Sequence, residues 1–358
     1  MDLSNFVPSV DWIKNYNRDW LKGDISAGLT VGVMLIPQGM AYAMLAGLPP
    51  INGLYAVTLP LAIYAILGTS RQLAVGPVAM VSLLTATGVG AIAEAGTEVF
   101  LTLAIALSLI VGVIQLALGL FRLGFLVNLL SHPVISGFTS AAALIIGLSQ
   151  LKHLLGISLQ RSHHVHEILL AAAERVSETN VYTLGIGLLG VALIIGAKKV
   201  NKAIPGPLLA VVFGILAVVL MNLEGQGVKI VGEVPSGLPS LSFPSFSWAQ
   251  IQALIPTALT ISLVGFMESI AVAKAVHKKH KDYEVVPNKE LIALGLANLG
   301  GAVVQAYPVT GGFSRTAVND QAGAKTGLAS LISAGLIVLT LLFLTPLFYS
   351  LPQAILAS

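Results

Sequence analysis

Eleven times between residues 25 and 349 the sequence returns to an apolar run, and the breaks between runs carry nearly all of its charge. The runs fall near 25–46, 51–69, 77–92, 97–120, 133–151, 181–197, 206–222, 251–273, 289–306, 313–325 and 327–349. A helix needs ~20 residues to cross the hydrocarbon core of a bilayer; several runs fall short, the third and tenth most of all. Only 10% of the chain is charged and 56% is hydrophobic, which excludes a soluble domain of this length. The expected fold is an all-α polytopic membrane protein, with the 36 Gly serving close helix packing and helix breaks. With no cysteine, disulfides and thiolate metal sites are excluded.

Lysine and arginine set the orientation. Of the 19, fourteen fall on the side of the N-terminus, four on the other (Lys152, Arg161, Arg175, Lys229), and Arg315 lies within. The N-terminus is therefore expected in the cytoplasm, of a cell (plasma or inner) membrane, with no cleavable signal ahead of it. Residues 1–23 are amphipathic (Phe6, Trp12, Trp20 against Lys14, Arg18, Lys22) and read as an interfacial segment. The Lys274–Lys281 cluster reads as a topogenic patch near anionic headgroups. His163, His164 and His166 lack a carboxylate cage and read as a solvated loop, not a metal site. Nothing in the sequence points to nucleic acid or to enzyme chemistry.

One stretch breaks the apolar pattern at membrane depth: Tyr307-Pro308-Val309-Thr310-Gly311-Gly312-Phe313-Ser314-Arg315-Thr316-Ala317-Val318-Asn319-Asp320. Before it, Leu291–Ala306 is apolar apart from Asn298 and Gln305. Irregular backbone survives in lipid only where it lines a cavity or is covered by protein. Pro308 and the Gly pair end the preceding helix, and Phe313–Lys325 is predicted to begin a half-helix. Its N-terminus, about +0.5 charge, is an anion seat, to which Ser314 adds a hydroxyl and Arg315 a permanent charge.

A second such stretch is Val75-Gly76-Pro77-Val78-Ala79-Met80, with Pro77 expected at the first helical position. Polar features recur in order: a break at Pro37-Gln38-Gly39 and then Pro77, Glu268 and then Ser314. Paired, short, Gly/Pro-interrupted spans in two halves point to an inverted-repeat transporter with its site between them. Seven spans per repeat are expected, with half-helices at spans 3 and 10. The second repeat is expected to be cut short by nearly three helices, after about eleven spans. Glu268 reads as the only acidic residue inside a span, a coupling site for H+ (or Na+), or else a structural anchor or partner for Arg315. Arg315 reads as the group that attracts substrate, or as a lock neutralised by Glu268. Gln38 and Tyr42, one turn apart, share a helix face and line the pocket or pack.

The segments Pro49–Tyr55, Tyr64–Arg71 and Gly76-Pro77 resemble the sulfate-transporter signature of the SulP anion-transporter family, which includes prestin. His132–Thr139 and Gly311–Thr326 resemble it too, and the likeness runs from about residue 20 to the end. The resemblance implies an inverted 7+7 fold with a core domain (spans 1–4 and 8–11) that moves as an elevator against a gate domain (spans 5–7 and 12–14). It implies substrate between the facing ends of spans 3 and 10, at Gln38, Tyr42, Val78, Gly312, Ser314 and Arg315, with Phe313 opening the second half-helix. Glu268 matches the carboxylate of proton-coupled sulfate-transporting members. Val78 departs from members with an aromatic there. Spans 12–14 and the family's STAS domain are not in the sequence.

The resulting division is an interfacial segment at 1–23, core spans at 24–120 and 251–349, gate spans at 121–223, an extracellular segment at 224–250 and the start of span 12 at 350–358. The expected function is secondary active transport of an inorganic anion, sulfate by proton symport, in a bilayer and as a monomer or homodimer, without a cofactor. The alternatives are bicarbonate or chloride carriage on the same fold, a nucleobase transporter, and a non-transporting membrane protein.

Overall fold

The computed structural model describes residues 7–125, 150–157, 165–200, 206–241, 246–280 and 282–358, with scattered positions between 137 and 148. The fifth predicted span, the His132–Thr139 motif, and Arg161, His163, His164 and Lys281 fall almost wholly outside these residues. The described chain is helical, interrupted by two strands of two residues each. Among the described residues, five helical stretches are long and apolar enough to cross a membrane: Arg18–Ala46, Pro50–Leu67, Glu98–Leu120, Trp248–His277 and Leu328–Phe348.

By contacts the chain falls into two compact units: Met1–Ser131 with Leu238–Leu341, and His132–Gly237 with Leu342–Ser358. The first unit begins with α1 (Ser9–Lys14) and α2 (Arg18–Ala46). Asn17 caps α2 by accepting from the Asp19 N–H at 3.0 Å, so the amphipathic N-terminal segment holds α1 and the first turns of α2. The polar interruption at Pro37-Gln38-Gly39 does not interrupt the helix: α2 runs straight through Pro37. One proline removes a single i→i−4 bond, and burial of both flanking turns holds the helix together. The predicted second span is instead broken, into α3 (Pro50–Tyr55) and α4 (Leu59–Leu67). Thr58 carries the change of direction, its hydroxyl folded back on the Tyr55 carbonyl at 2.6 Å.

Strand β1 (Val75–Gly76) leads into α5 (Ala79–Gly90), followed by α6 (Glu98–Leu120). After the second unit's helices come α11 (Trp248–His277), α12 (Pro287–Val303), strand β2 (Thr310–Gly311), α13 (Phe313–Gln321) and α14 (Leu328–Leu339). A π turn over Thr340–Leu344 and a 3-10 turn over Thr345–Phe348 prolong α14. The packing pairs α6 with α12 and α2 with α14. At 1.5 Å per residue, α5 and α13 span roughly 18 and 14 Å, about half of a ~30 Å core. Both are half-helices, as expected, but α13 ends at Gln321 rather than Lys325.

The second unit holds α7 (Leu151–Leu155), α8 (Val165–Glu174), α9 (Val181–Val200), α10 (Gly206–Met221) and α15 (Gln353–Ala357). Helix α8 lies in what the sequence suggested was a plain loop. Lys229–Val231 binds the chain ahead of α15, with Gln353 N–H to Lys229 O at 2.9 Å and Val231 N–H to Leu351 O at 2.8 Å.

One end of the first unit gathers charge. Arg71 bridges Asp11 and Asp282 at 2.9 and 3.0 Å and lies over the Tyr283 ring at 5.3 Å. Burial above all pushes the Tyr283 phenol up to about 12, so it stays a donor, to Gln72 Oε1 at 2.7 Å. Lys279 and His280 reach Asp320 at 2.8 and 2.5 Å.

Glu268 is not the only acid within a span. Asp24 of α2 and Glu290 of α12 are both fully buried. Glu290 accepts from Tyr64 OH (2.6 Å), the Thr69 N–H (2.6 Å) and hydroxyl (2.5 Å), and the Ser70 N–H (3.2 Å). Asp24 accepts from the N–H groups of Lys325 and Thr326 at 2.7 and 3.0 Å and from the Thr326 hydroxyl at 2.7 Å. A carboxylate so satisfied is tolerated without a cation. These two clamp the linkers that lead to β1 and away from α13.

Candidate functional site: two facing half-helices

The two strands pair antiparallel, Val75 with Gly311 and Gly76 with Thr310. Each opens into its half-helix within three residues, so α5 and α13 begin on opposite sides of one short ladder. Pro77 was expected as the first residue of α5. Instead Val78, with φ −130° and ψ 153°, is the N-cap and the helix starts at Ala79. Pairing with β2 keeps the backbone extended past Gly76, and Pro77 supplies a carbonyl to the site. Neither Val78 nor Gly312, the N-cap of α13, provides a side-chain cap. The first N–H groups of both helices therefore keep their partial positive charge.

Arg315 lies at the junction, 1% exposed. Its Nη1 donates to the Pro77 carbonyl and to Gln38 Oε1, the latter at 3.3 Å. Gln38 in turn donates to Tyr42 OH at 3.4 Å. Glycine makes room for the guanidinium: a Cβ on Gly312 would lie 2.8 Å from Arg315 Cζ, and one on Gly76 3.4 Å from Nη2. Among the described residues Arg315 forms no salt bridge, and its Nε and Nη2 have no acceptor. Glu268, half-buried on α11, has an unpartnered Oε2. Arg315 and Glu268 are thus not joined by a direct salt bridge among the described residues.

Four of the predicted site residues come together: Gln38, Tyr42, Gly312 and Arg315. Val78 is buried at the start of α5, 5% exposed. Phe313 and Ser314 stand on the first turn of α13 with exposed side chains, Phe313 at 64%. The sequence reading missed the residues that hold β2. Ser269, next to Glu268, accepts from the Gly311 N–H at 2.7 Å and meets the Thr310 hydroxyl at 2.7 Å. Thr310 also bonds the Gly265 carbonyl at 2.6 Å. The Thr316 hydroxyl accepts from the Ala74 N–H at 3.1 Å and donates to Gly312 O at 2.7 Å. Their signal was small polar residues within apolar runs, which a search for charge passes over.

Two half-helices thus open from the two strands of one short ladder with an arginine between them, in a chain of membrane-length apolar helices. The chain belongs to the sulfate permease family, which it matches over residues 21–358. It is 43% identical over 365 residues to the chloroplastic sulfate transporter 4.1 of Arabidopsis thaliana, covering 99% of this chain and 53% of that protein. It is 38% identical over 358 residues to a probable sulfate transporter of Mycobacterium tuberculosis, covering 100% and 64%. The chain thus spans about half to two thirds of the length of these curated relatives. Among solved structures, the murine Solute Carrier 26 family member A9 anion transporter in the inward-facing state superposes with a TM-score of 0.92 at 28% identity, covering 99% of this chain and 62% of that one. The transmembrane domain of a cyanobacterial bicarbonate transporter gives 0.85 at 25% identity, covering 95% and 87%.

Proposed function

We propose that the protein is a secondary active transporter of a small inorganic anion, sulfate foremost, coupled to protons through Glu268. The carrying observation is Arg315: a buried guanidinium with no salt bridge among the described residues and two nitrogens, Nε and Nη2, without an acceptor, between two uncapped helix ends. Removing a charge from water without a partner costs several kcal/mol, so the site calls for an anion. Two helix ends at about +0.5 each plus Arg315 approach +2. That suits a divalent oxyanion when Glu268 is protonated and a monovalent one when it is ionised. Proton and sulfate then favour each other's binding, which is the logic of symport.

Gln38, Tyr42, Gly312, Phe313, Ser314 and Arg315 form the seat, with Val78 as a wall. The names of the relatives, sulfate transporters in a plant and a mycobacterium, support sulfate over the bicarbonate named for the cyanobacterial domain. Every seat residue lies in the first compact unit. A displacement of that unit as a body carries the anion with it, the essence of an elevator. We place the N-terminus in the cytoplasm on the lysine and arginine bias.

Uptake of labelled sulfate into proteoliposomes, with and without an inward proton gradient, tests the reading. Sulfate is expected to accumulate only with the gradient, and excess uracil to leave uptake unchanged. Uptake that ignores the gradient removes the proton; competition by bicarbonate at equal concentration shifts the substrate; inhibition by uracil overturns the anion assignment.

A further inference from the structure

Asn298 lies on α12, outside the seat and fully buried. We propose that Asn298 is a positioning residue, which fixes β2 and thereby aims the first turn of α13 at the anion. The proposal rests on the reading of the seat given above. Asn298 Oδ1 accepts from the Val309 N–H at 2.8 Å, and Nδ2 donates to the Val309 carbonyl at 3.1 Å. One side-chain amide thus pairs both backbone groups of the residue just ahead of β2, as a neighbouring strand would.

The need is physical. Val309 is 1% exposed, and its N–H and C=O belong to irregular backbone at membrane depth. Unmet, each would cost a lost hydrogen bond or more. The amide itself cannot swing away, since Nδ2 also meets Leu294 O at 3.1 Å and Gln115 Oε1 at 3.0 Å. Gln115 of α6 donates onward to the Ser262 carbonyl of α11 at 3.3 Å. The α12 residue therefore fixes Val309 against three helices. Only three positions separate Val309 from Gly312, the N-cap of α13, so an error at Val309 passes straight to the seat. Of the side chains that fit, only asparagine offers a donor and an acceptor at this reach. Ionised aspartate has no donor, and serine has one atom for two partners.

The test uses the absence of cysteine from the sequence. Ser314→Cys carries one thiol on the first turn of α13, where a nitroxide reports local order in the full chain in nanodiscs. The spectrum is expected to show one ordered component, and Asn298→Ala to add a mobile one. Equilibrium binding of labelled sulfate, measured without the cysteine, is expected to weaken about tenfold in Asn298→Ala. Ser333→Ala, which removes a buried bond to the Gly28 carbonyl in the same unit, should move neither readout. Should Asn298→Ala fail to fold, Asn298→Asp, which keeps the acceptor for the Val309 N–H and, ionised, loses the donor to its carbonyl, gives the same readout. An unchanged line shape in the folded variant overturns the proposal, as does equal loosening in Ser333→Ala. If the wild-type chain binds no sulfate, the anion reading fails, while the line shape still decides the role of Asn298.

Discussion

The strand–helix pairs β1–α5 and β2–α13 share a backbone plan and differ in almost everything else. Around β1 the sequence Val75-Gly76-Pro77-Val78-Ala79-Met80 offers no polar side chain, so the polar groups of this half are backbone alone: N–H dipoles and the Pro77 carbonyl. Around β2 the sequence supplies Thr310, Ser314, Arg315 and Thr316. Side chains from two other helices hold this stretch, Ser269 from α11 on β2 and Asn298 from α12 on Val309 just ahead of it. Strand β1 leans on the ladder, on Thr316 and on Arg315. One half is anchored and carries the charge; the other follows it and completes the field. A symmetric architecture thus leaves the chemistry on one side.

Replacing Arg315 strikes both halves at once and is the largest expected effect. Charge-assisted hydrogen bonds contribute about 1.5–3 kcal/mol each, so Arg315→Ala should weaken sulfate binding roughly 100-fold. Arg315→Lys should recover part of this, keeping charge but losing the planar fork. Isothermal titration on purified protein measures both. Wild-type affinity in folded Arg315→Ala would make the arginine a mere staple between Pro77 and α13.

Glu268 stands on the helix that anchors β2, and its effect is on pH dependence. If one proton binds there with the anion, affinity should rise as pH falls, by up to about tenfold per unit through the range where the carboxylate titrates. Glu268→Gln, fixed in the neutral state, should bind sulfate with the affinity of the protonated wild type at every pH. It should exchange sulfate but not concentrate it under a proton gradient. A wild-type pH profile in this variant would take the coupling role from Glu268.

Added methyl groups compare the halves directly. In Gly312→Ala the new Cβ would lie 2.8 Å from the guanidinium carbon, whereas in Gly76→Ala it meets Val57 Cγ1 at 2.8 Å and Arg315 Nη2 only at 3.4 Å. Overpacking of this kind costs about 1–3 kcal/mol. In Gly312→Ala it should fall on affinity, about tenfold. In Gly76→Ala it should fall mainly on stability, read as a lower Tm with affinity changed about threefold. The reverse order would mean that β1, not β2, sets the guanidinium.

Much of this was legible in the sequence, and what escaped has a physical reason. Apolar runs located the helices because lipid imposes their length, and Gly311-Gly312 marked the second half-helix because glycine at membrane depth is rarely idle. Arg315 stood out as a lone buried cation. Pro37 marked a polar interruption of the run and no helix end, since a proline inside a packed helix costs one bond that its neighbours absorb. Asp24 and Glu290 sat too close to charged loops to look buried; only the fold reveals the N–H groups that surround them. The supports of β2 were legible least. Ser269 is unremarkable in sequence and Asn298 showed only as one polar residue in an apolar run; what each holds is visible only once Val309 and β2 lie beside them.

The smallest expected effect concerns Val78, and it tests the asymmetry most sharply. Its side chain is 5% exposed at the N-cap of α5, where a polar residue would cap the helix and mask its positive end. Valine leaves that end open to a ligand. Val78→Ala removes two buried methyls, a loss of about 1.5 kcal/mol in stability, while the backbone N–H groups of α5 stay where the ladder holds them. Sulfate affinity should stay within about twofold of wild type. In Val78→Ser the hydroxyl can accept from the first turn of α5 and compete with the anion, so affinity should fall while stability partly recovers. The pair separates wall from field. Should Val78→Ala alone weaken binding tenfold, the apolar half contacts the anion through its side chain, and the division between a charged half and a backbone half does not hold.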